Sequence, residues 1–323
     1  MDSTFSSALA FDRPTSVAFV GTGPTGRAHM QAFRDVPGVQ LGGLINRSRA
    51  KAEAAAADLG ISAVYENVPE LYEQTKADLV VVTVSILSVR KVLHECMAYP
   101  WAILVEKPPG IDLHEAEDLL SEARSLGARV YVAMNRRALS STRQVMEDLA
   151  DNEERRFIQV CGQEDAARLA AVHPPEVVAR AMFANSIHCI DYLRMFGRGE
   201  ITDIQIPGRW DPILKTPVSA WVKFSSGDIG SYIGVWDAPS PWSVSVTTAS
   251  KRWEMRPLEK AGLQLRGQFT LTPHEPHEWD RIYKPGFRRQ AEQVVRAIHG
   301  LSNSAVTLED AVATMSLIAK IYA

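Results

Sequence analysis

Short apolar runs alternating with amphipathic stretches organise the first 134 residues. Residues 17–20 (Val-Ala-Phe-Val) read as a buried strand and residues 27–35 as a helix, stopped by Pro37-Gly38. The same alternation recurs along the chain. Strands are predicted over 39–45, 63–65, 79–84, 102–105 and 130–134, and helical segments over 48–59, 69–74, 87–97 and 113–125. The run at 79–84 is continuous and β-branched, as in a strand covered on both faces. Such βαβ repetition predicts a doubly wound parallel sheet.

The pattern changes near Asn135. After a helix over 140–149, alternating strand-like segments dominate at 157–160, 201–206, 220–224, 231–235, 243–248, 253–257 and 263–265. Ser225-Ser226-Gly227-Asp228 reads as a hairpin turn between two of them. One long helix is predicted over 177–196, and two more, 287–299 and 308–322, close the chain. Alternation implies a mostly antiparallel sheet with one face covered, so this half reads as α+β. The predicted organisation is an arm at 1–14, an α/β domain at 15–134 and an α+β domain at 135–323.

Composition narrows the classes. With 46% apolar and 23% charged residues, this is an ordinary globular chain, and its net charge of −3 gives no reason to expect nucleic acid or an anionic membrane as partner. The three cysteines, Cys96, Cys161 and Cys189, have no metal-ligand spacing, which fits a reducing compartment. Residues 1–14 lack a basic start and a long apolar core, so a cytoplasmic location is expected.

The first strand runs into Gly21-Thr22-Gly23-Pro24-Thr25-Gly26 and then a helix. A G-x-G-x-x-G between strand and helix is a dinucleotide-binding turn, with the helix start facing the pyrophosphate. At the end of the second strand, where NAD-binding folds place an acid for the ribose hydroxyls, stands Asn46, followed by Arg47 and Ser48. A carboxylate there would repel a 2′-phosphate, whereas Arg47 and Ser48 can bind one. NADP(H) is therefore expected over NAD(H).

Glu106-Lys107-Pro108 directly follows a buried strand, at the sheet edge where open α/β folds bind ligand. Pro108 disfavours helical backbone at Lys107, which makes this lysine a candidate proton donor or acceptor. His188 flanks the apolar face Phe183, Ile187, Ile190 and Leu193, with Asp191 one turn later to orient its imidazole. His274-Glu275-Pro276-His277 lacks a helix to align two ligands and a clear third ligand, so no metal is expected. Six of the seven tryptophans lie between Trp210 and Trp279, where they either stack on a sugar ring or pack a half-covered sheet.

Taken together, Val17–Gly26, Glu106-Lys107-Pro108, Asn135-Arg136-Arg137, Ile187-His188-Cys189-Ile190-Asp191 and the closing helix resemble the glucose–fructose oxidoreductase, inositol dehydrogenase and MocA (Gfo/Idh/MocA) family. The resemblance implies a Rossmann domain followed by an α+β domain on a large, mostly antiparallel sheet. The open face of that sheet implies a homodimer or homotetramer. It also implies hydride transfer between NAD(P) and a hydroxyl- or keto-bearing carbon of a sugar or cyclitol. Lys107 matches the lysine that meets the reacting oxygen and His188 the proton-relaying histidine, with Arg136, Asn185 and Tyr192 as further substrate contacts.

Two departures stand out. The aspartate one turn before His188 is replaced by Ala184, and Thr83-Val84-Ser85-Ile86 replaces the usual Thr-Pro-Asn-like turn. Without the acid, Lys107 and His188 handle the proton, or Asn185 or Tyr192 substitutes in part. A non-catalytic ligand or cofactor sensor on the same fold is the competing expectation.

Overall fold

A computed structural model describes residues 13–208 and 210–323. The arm expected at 1–14 therefore lies almost wholly outside the described residues. Two compact units form. The first holds the described part of Met1–Pro109 with Asp118–Ala133 and Phe287–Leu308, and the second holds Gly110–Glu117, Met134–Gly286 and Glu309–Ala323.

In the first unit, β1 (Thr15–Val20), α1 (Pro24–Arg34), β2 (Val39–Ile45), α2 (Arg49–Leu59), β3 (Val64–Tyr65), α3 (Val68–Thr75), β4 (Leu79–Val82), α4 (Val89–Met97), β5 (Ala102–Glu106), α5 (Leu113–Leu126) and β6 (Val130–Ala133) follow in order. The first turn of α5 counts with the second unit. The six strands pair in the order β3-β2-β1-β4-β5-β6, all parallel. This is the doubly wound dinucleotide-binding order, with its reversal between β1 and β4. Every residue of β4 is buried, as its unbroken β-branched run requires. The strand ends at Val82 rather than at residue 84, because the Thr83 hydroxyl turns to donate to Gly21 O at 3.0 Å, and a 3₁₀ turn follows at Ile86–Ser88. In β2, Gly42 is a bulge, since Val17 faces Leu41 and Ala18 faces Gly43.

The second unit begins with α6 (Ser140–Asp148) and β7 (Phe157–Glu164), then α7 (Ala166–Ala170), α8 (Pro175–Val178) and α9 (Ile187–Phe196). Strands β8 (Ile201–Gln205), β9 (Val218–Phe224), β10 (Ile229–Trp236), β11 (Ser243–Thr247), β12 (Lys251–Met255), β13 (Ala261–Leu265) and β14 (Thr272–His274) follow, then α10 (Trp279–Ile282). The eight-stranded order is β14-β13-β12-β11-β7-β10-β9-β8. Among the described residues of this sheet only β7 and β10 pair in parallel, and the β9–β10 hairpin closes at Gly227 with φ +87°. In β9 buried and non-buried positions alternate strictly, as in a sheet covered on one face.

The last helices are α11 (Phe287–Ile298) and α12 (Leu308–Ile321). The sequence division assigns α11 to the second domain, yet it groups with the first unit. The reason is its apolar stripe, Phe287, Ala291, Val294 and Val295, which packs on α1, with the Phe287 ring 4.3 Å from that of His29. Among the described residues, no helix is long and apolar enough to cross a membrane.

Two expectations need correction. The single helix over 177–196 is broken: Pro174-Pro175 start a separate turn, and a wide π-type turn at Met182–Ser186 precedes α9. Strand β7 runs past residue 160 to Glu164, because Gly162 weakens the propensity signal without breaking the pairing to β10.

Candidate functional site

In the first unit, geometry builds a candidate site at the carboxyl edge of the parallel sheet. Gly21 has φ +102°, and a Cβ there would lie 2.3 Å from Thr83 O. A Cβ on Gly26 would lie 2.4 Å from Gly21 O. These two glycines hold the turn tight against β4 and let α1 pack close. Gly23 is different. It caps α1 with ordinary backbone angles, φ −65° and ψ 177°, and a Cβ on it would meet nothing within 4 Å. The space beside it is where a pyrophosphate approaches the backbone. Thr22 Oγ1 is buried beside it and has no hydrogen-bond partner among the described residues. Pro24 sits in the first turn of α1, whose N-terminus carries positive dipole. Thr25 follows within that turn. An open cradle, an orphaned hydroxyl and a helix start fit a dinucleotide diphosphate.

At the end of β2, Asn46 Nδ2 donates to Ser48 O at 3.2 Å, and Ser48 caps α2. Arg47 is exposed, and its guanidinium has no ion-pair partner among the described residues. Arg49, by contrast, is engaged by Glu53 and Glu66.

Strand β5 ends at Glu106, two strands from the glycine turn in the order β1-β4-β5. At ~4.8 Å per strand spacing, Lys107 starts about 10 Å from that turn on the same sheet edge. The Glu106 carboxylate is held on both oxygens. His29 Nε2 lies 2.8 Å from Oε1, and the Lys107 backbone N–H donates to Oε2 at 3.2 Å. His29 is wholly buried on α1. Its role was missed in the sequence, where it reads only as part of the α1 pattern. A histidine three residues after Gly26 is the signal that was available. The Lys107–Pro108 peptide is cis.

In the second unit, one indole gathers two predicted residues. The His188 ring centroid lies 6.1 Å from that of Trp242, and the Arg136 guanidinium lies 5.8 Å from the same ring. Arg136 also pairs with Glu259. His188 is 7% exposed. Asn185 Nδ2 donates to Glu164 Oε2 at 2.7 Å. Trp242, Glu259 and Glu164 carried no distinguishing spacing in the sequence, since loops and sheet register bring them here.

Two expected roles fail. Asp191 does not orient His188: Arg137 grips its carboxylate with Nε at 2.6 Å and Nη2 at 2.7 Å, and Thr314 Oγ1 donates at 2.8 Å. The ion-pair network continues through Asp310 to Arg194, so this carboxylate ties α9 to α12. Tyr192 is fully buried, with its hydroxyl 2.8 Å from Thr142 Oγ1, and burial pushes its phenol above the ordinary range. It faces the core rather than a ligand.

His274 and His277 serve the fold. His274 bonds Gln144 and packs on Trp253, while His277 Nδ1 accepts from Trp279 N at 3.2 Å. Among the described residues, no group of three metal-ligating side chains occurs.

A parallel sheet in this strand order with a glycine cradle at its reversal point defines a dinucleotide-binding protein of the Rossmann class. Residues 15–134 match the model of the GFO_IDH_MocA family, an oxidoreductase family with an NAD-binding Rossmann fold. No curated protein matches the chain. Solved structures share the fold of the whole chain at low identity. A dehydrogenase from Chromobacterium violaceum is 20% identical with a TM-score of 0.80, over 96% of this chain and 94% of that one. UDP-N-acetylglucosamine 3-dehydrogenase GnnA from Acidithiobacillus ferrooxidans is 16% identical with a TM-score of 0.76, over 95% and 96%. An oxidoreductase from Agrobacterium radiobacter, in complex with NAD+, L-tartaric acid and magnesium, is 16% identical with a TM-score of 0.74, over 95% of both chains.

Proposed function

We propose that the protein is an NADP(H)-dependent oxidoreductase acting on a hydroxyl- or keto-bearing carbon of a sugar-like or cyclitol substrate. The observation that carries this reading is Lys107, held at the end of β5 about 10 Å along the sheet edge from the glycine turn. A nicotinamide bound there supplies or accepts hydride. Lys107 Nζ holds the proton that the substrate oxygen takes up in reduction or gives up in oxidation. The buried His29–Glu106 pair fixes the backbone from which Lys107 extends.

In the second unit, His188 and Arg136 both meet the Trp242 indole and offer polar groups to a ligand's oxygens. Asn185 adds a neutral polar contact. Arg47, exposed and without an acidic neighbour at Asn46, supports a 2′-phosphate and hence NADP(H). Dehydrogenation of a nucleotide-linked sugar by GnnA, a protein of the same fold, agrees with the substrate class.

Ala184 favours one alternative, a cofactor or ligand sensor that binds without turnover. An optical assay of NADPH loss against keto-sugars and inososes, with an NADPH-binding titration beside it, separates the two. The enzyme reading expects turnover that falls at least ~10²-fold in Lys107→Ala while NADPH affinity holds. Binding without turnover on every substrate, or a Lys107→Ala variant as fast as the wild type, overturns it.

A further inference from the structure

The second unit holds a cavity of about 420 Å³ that takes no part in the hydride transfer proposed above. Its volume lies in the range of about 300–1,000 Å³ common for small-molecule sites. On β10, Tyr232, Gly234 and Trp236 alternate onto the covered face of the sheet, and Trp236 is 7% exposed. The Trp210 ring packs on that indole, with centroids 4.4 Å apart and planes at 35°. The Tyr322 ring stands edge-on to both. The rest of the lining comes largely from α7, α8 and the residues that follow them, where Pro174-Pro175 part the two helices. The side chains there include Ala170 and Ala179, too small to fill the space that the indoles border. Apart from the indoles, the polar side chains among the described lining residues are His173 and Lys215, and no carboxylate is among them. Lys215 pairs with Asp237, whose other oxygen accepts from Ala166 N at 2.7 Å. Both partners hold left-handed backbone, φ 50° and 52°, a conformation uncommon outside glycine. An ammonium has three N–H donors, and Asp237 takes one of them here.

Most occupants meet an obstacle. A hydroxyl-rich ring would trade water for walls that offer few hydrogen bonds. A cation would face Lys215 with no acid on the lining. A phosphate calls for clustered N–H donors or an arginine fork, yet Pro174 and Pro175 have no N–H and Ala166 N is taken by Asp237. A planar apolar ring with a single negative charge meets none of these obstacles. We propose that the cavity binds an aromatic carboxylate, its ring against the Trp210 and Trp236 indoles and its carboxylate toward the Lys215 ammonium, with His173 as a second polar contact. The site lies wholly in the second unit and uses none of the residues assigned to hydride transfer, so it stands or falls apart from that reading.

The test is a ligand-observed NMR titration of the full chain with three probes. Indole-3-acetate carries both features, tryptophol keeps the ring without the charge, and cyclohexylacetate keeps the charge without the aromatic ring. Indole-3-acetate is expected to bind at least ~3-fold more tightly than either, the scale of one partly exposed ion pair or one aromatic stack. Lys215→Met brings it level with tryptophol, and Trp210→Leu brings it level with cyclohexylacetate. Ala179→Trp, at an exposed position on the lining, fills the cavity and abolishes binding. Should Trp210→Leu not fold, Lys215→Met and Ala179→Trp carry the decision. No binding of indole-3-acetate at millimolar concentration, equal affinity for the three probes, an advantage over tryptophol that survives Lys215→Met, or binding that survives Ala179→Trp overturns the proposal.

Discussion

Gly23→Ala separates the cofactor cradle from the stability of the turn that forms it. The added methyl meets nothing within 4 Å, and φ −65° suits any L-residue. Restricting the unfolded chain favours the variant by about 0.4–1 kcal/mol, and alanine's poor fit as a helix cap costs a similar amount. The net change in stability is therefore within about 0.5 kcal/mol, or less than about 2 °C in Tm. Binding fares differently. The methyl occupies the space into which a pyrophosphate must come to reach the backbone N–H groups. Losing one charge-assisted hydrogen bond of about 1.5–3 kcal/mol raises Kd for NADPH roughly 10- to 100-fold. Gly26→Ala is the contrasting control. Its Cβ would sit 2.4 Å from Gly21 O and 2.6 Å from Thr83 Oγ1, so backbone must move, at a cost of about 1–3 kcal/mol in stability. Thermal melts with a fluorescence titration of NADPH read both effects. A Gly23→Ala protein that melts like the wild type and binds NADPH within about threefold of it would refute the placement of the diphosphate at this turn.

Arg47→Ala should weaken NADPH binding at least ~10-fold and leave NADH nearly unchanged, as measured by paired titrations; a wild type that prefers NADH contradicts this. Asp191→Asn should cost about 3 kcal/mol in denaturant unfolding, because it breaks a buried pair with Arg137, while the pH dependence of turnover near neutrality stays in place. A shift in that profile would restore Asp191 as the partner of His188. Asp228 is pushed up by burial, but the Arg198 guanidinium and the backbone N–H groups of Arg156 and Arg198 outweigh this and hold it at about 2, below its ordinary 3.8. Its stabilisation is fully present above about pH 4 and is lost as pH falls through 2, amounting to about 1–2 kcal/mol after solvent screening. Asp228→Asn should remove that part of the acid limb in unfolding curves measured from pH 5 to 2, and an unchanged limb would contradict it.

The parallel sheet was legible because buried strands and amphipathic helices differ in period, and all six of its strands appear at the predicted places in the chain. The glycine turn was legible because its spacing is local. What periodicity could not carry was set by long-range partners. The helix expected over 177–196 is interrupted at residues 179–180 and widens to a π-type turn where Glu164, some twenty residues earlier, draws in Asn185 and Ser186. Asp191 sits at the right helical offset to serve His188, yet Arg137, 54 residues upstream, takes its carboxylate. The hold of His29 on Glu106 spans 77 residues. In each case the sequence names the residue type, while the fold decides which neighbour it meets.

The most direct measurement is of the hydride itself. The protein is incubated with NADPH deuterated at C4 of the nicotinamide and with a panel of keto-sugars and inososes, and the products are analysed by mass spectrometry. Transfer of one deuterium to the reduced carbon of at least one substrate, strongly reduced in Lys107→Ala, is the predicted result. Cofactor that binds yet leaves every member of the panel unlabelled would contradict the account.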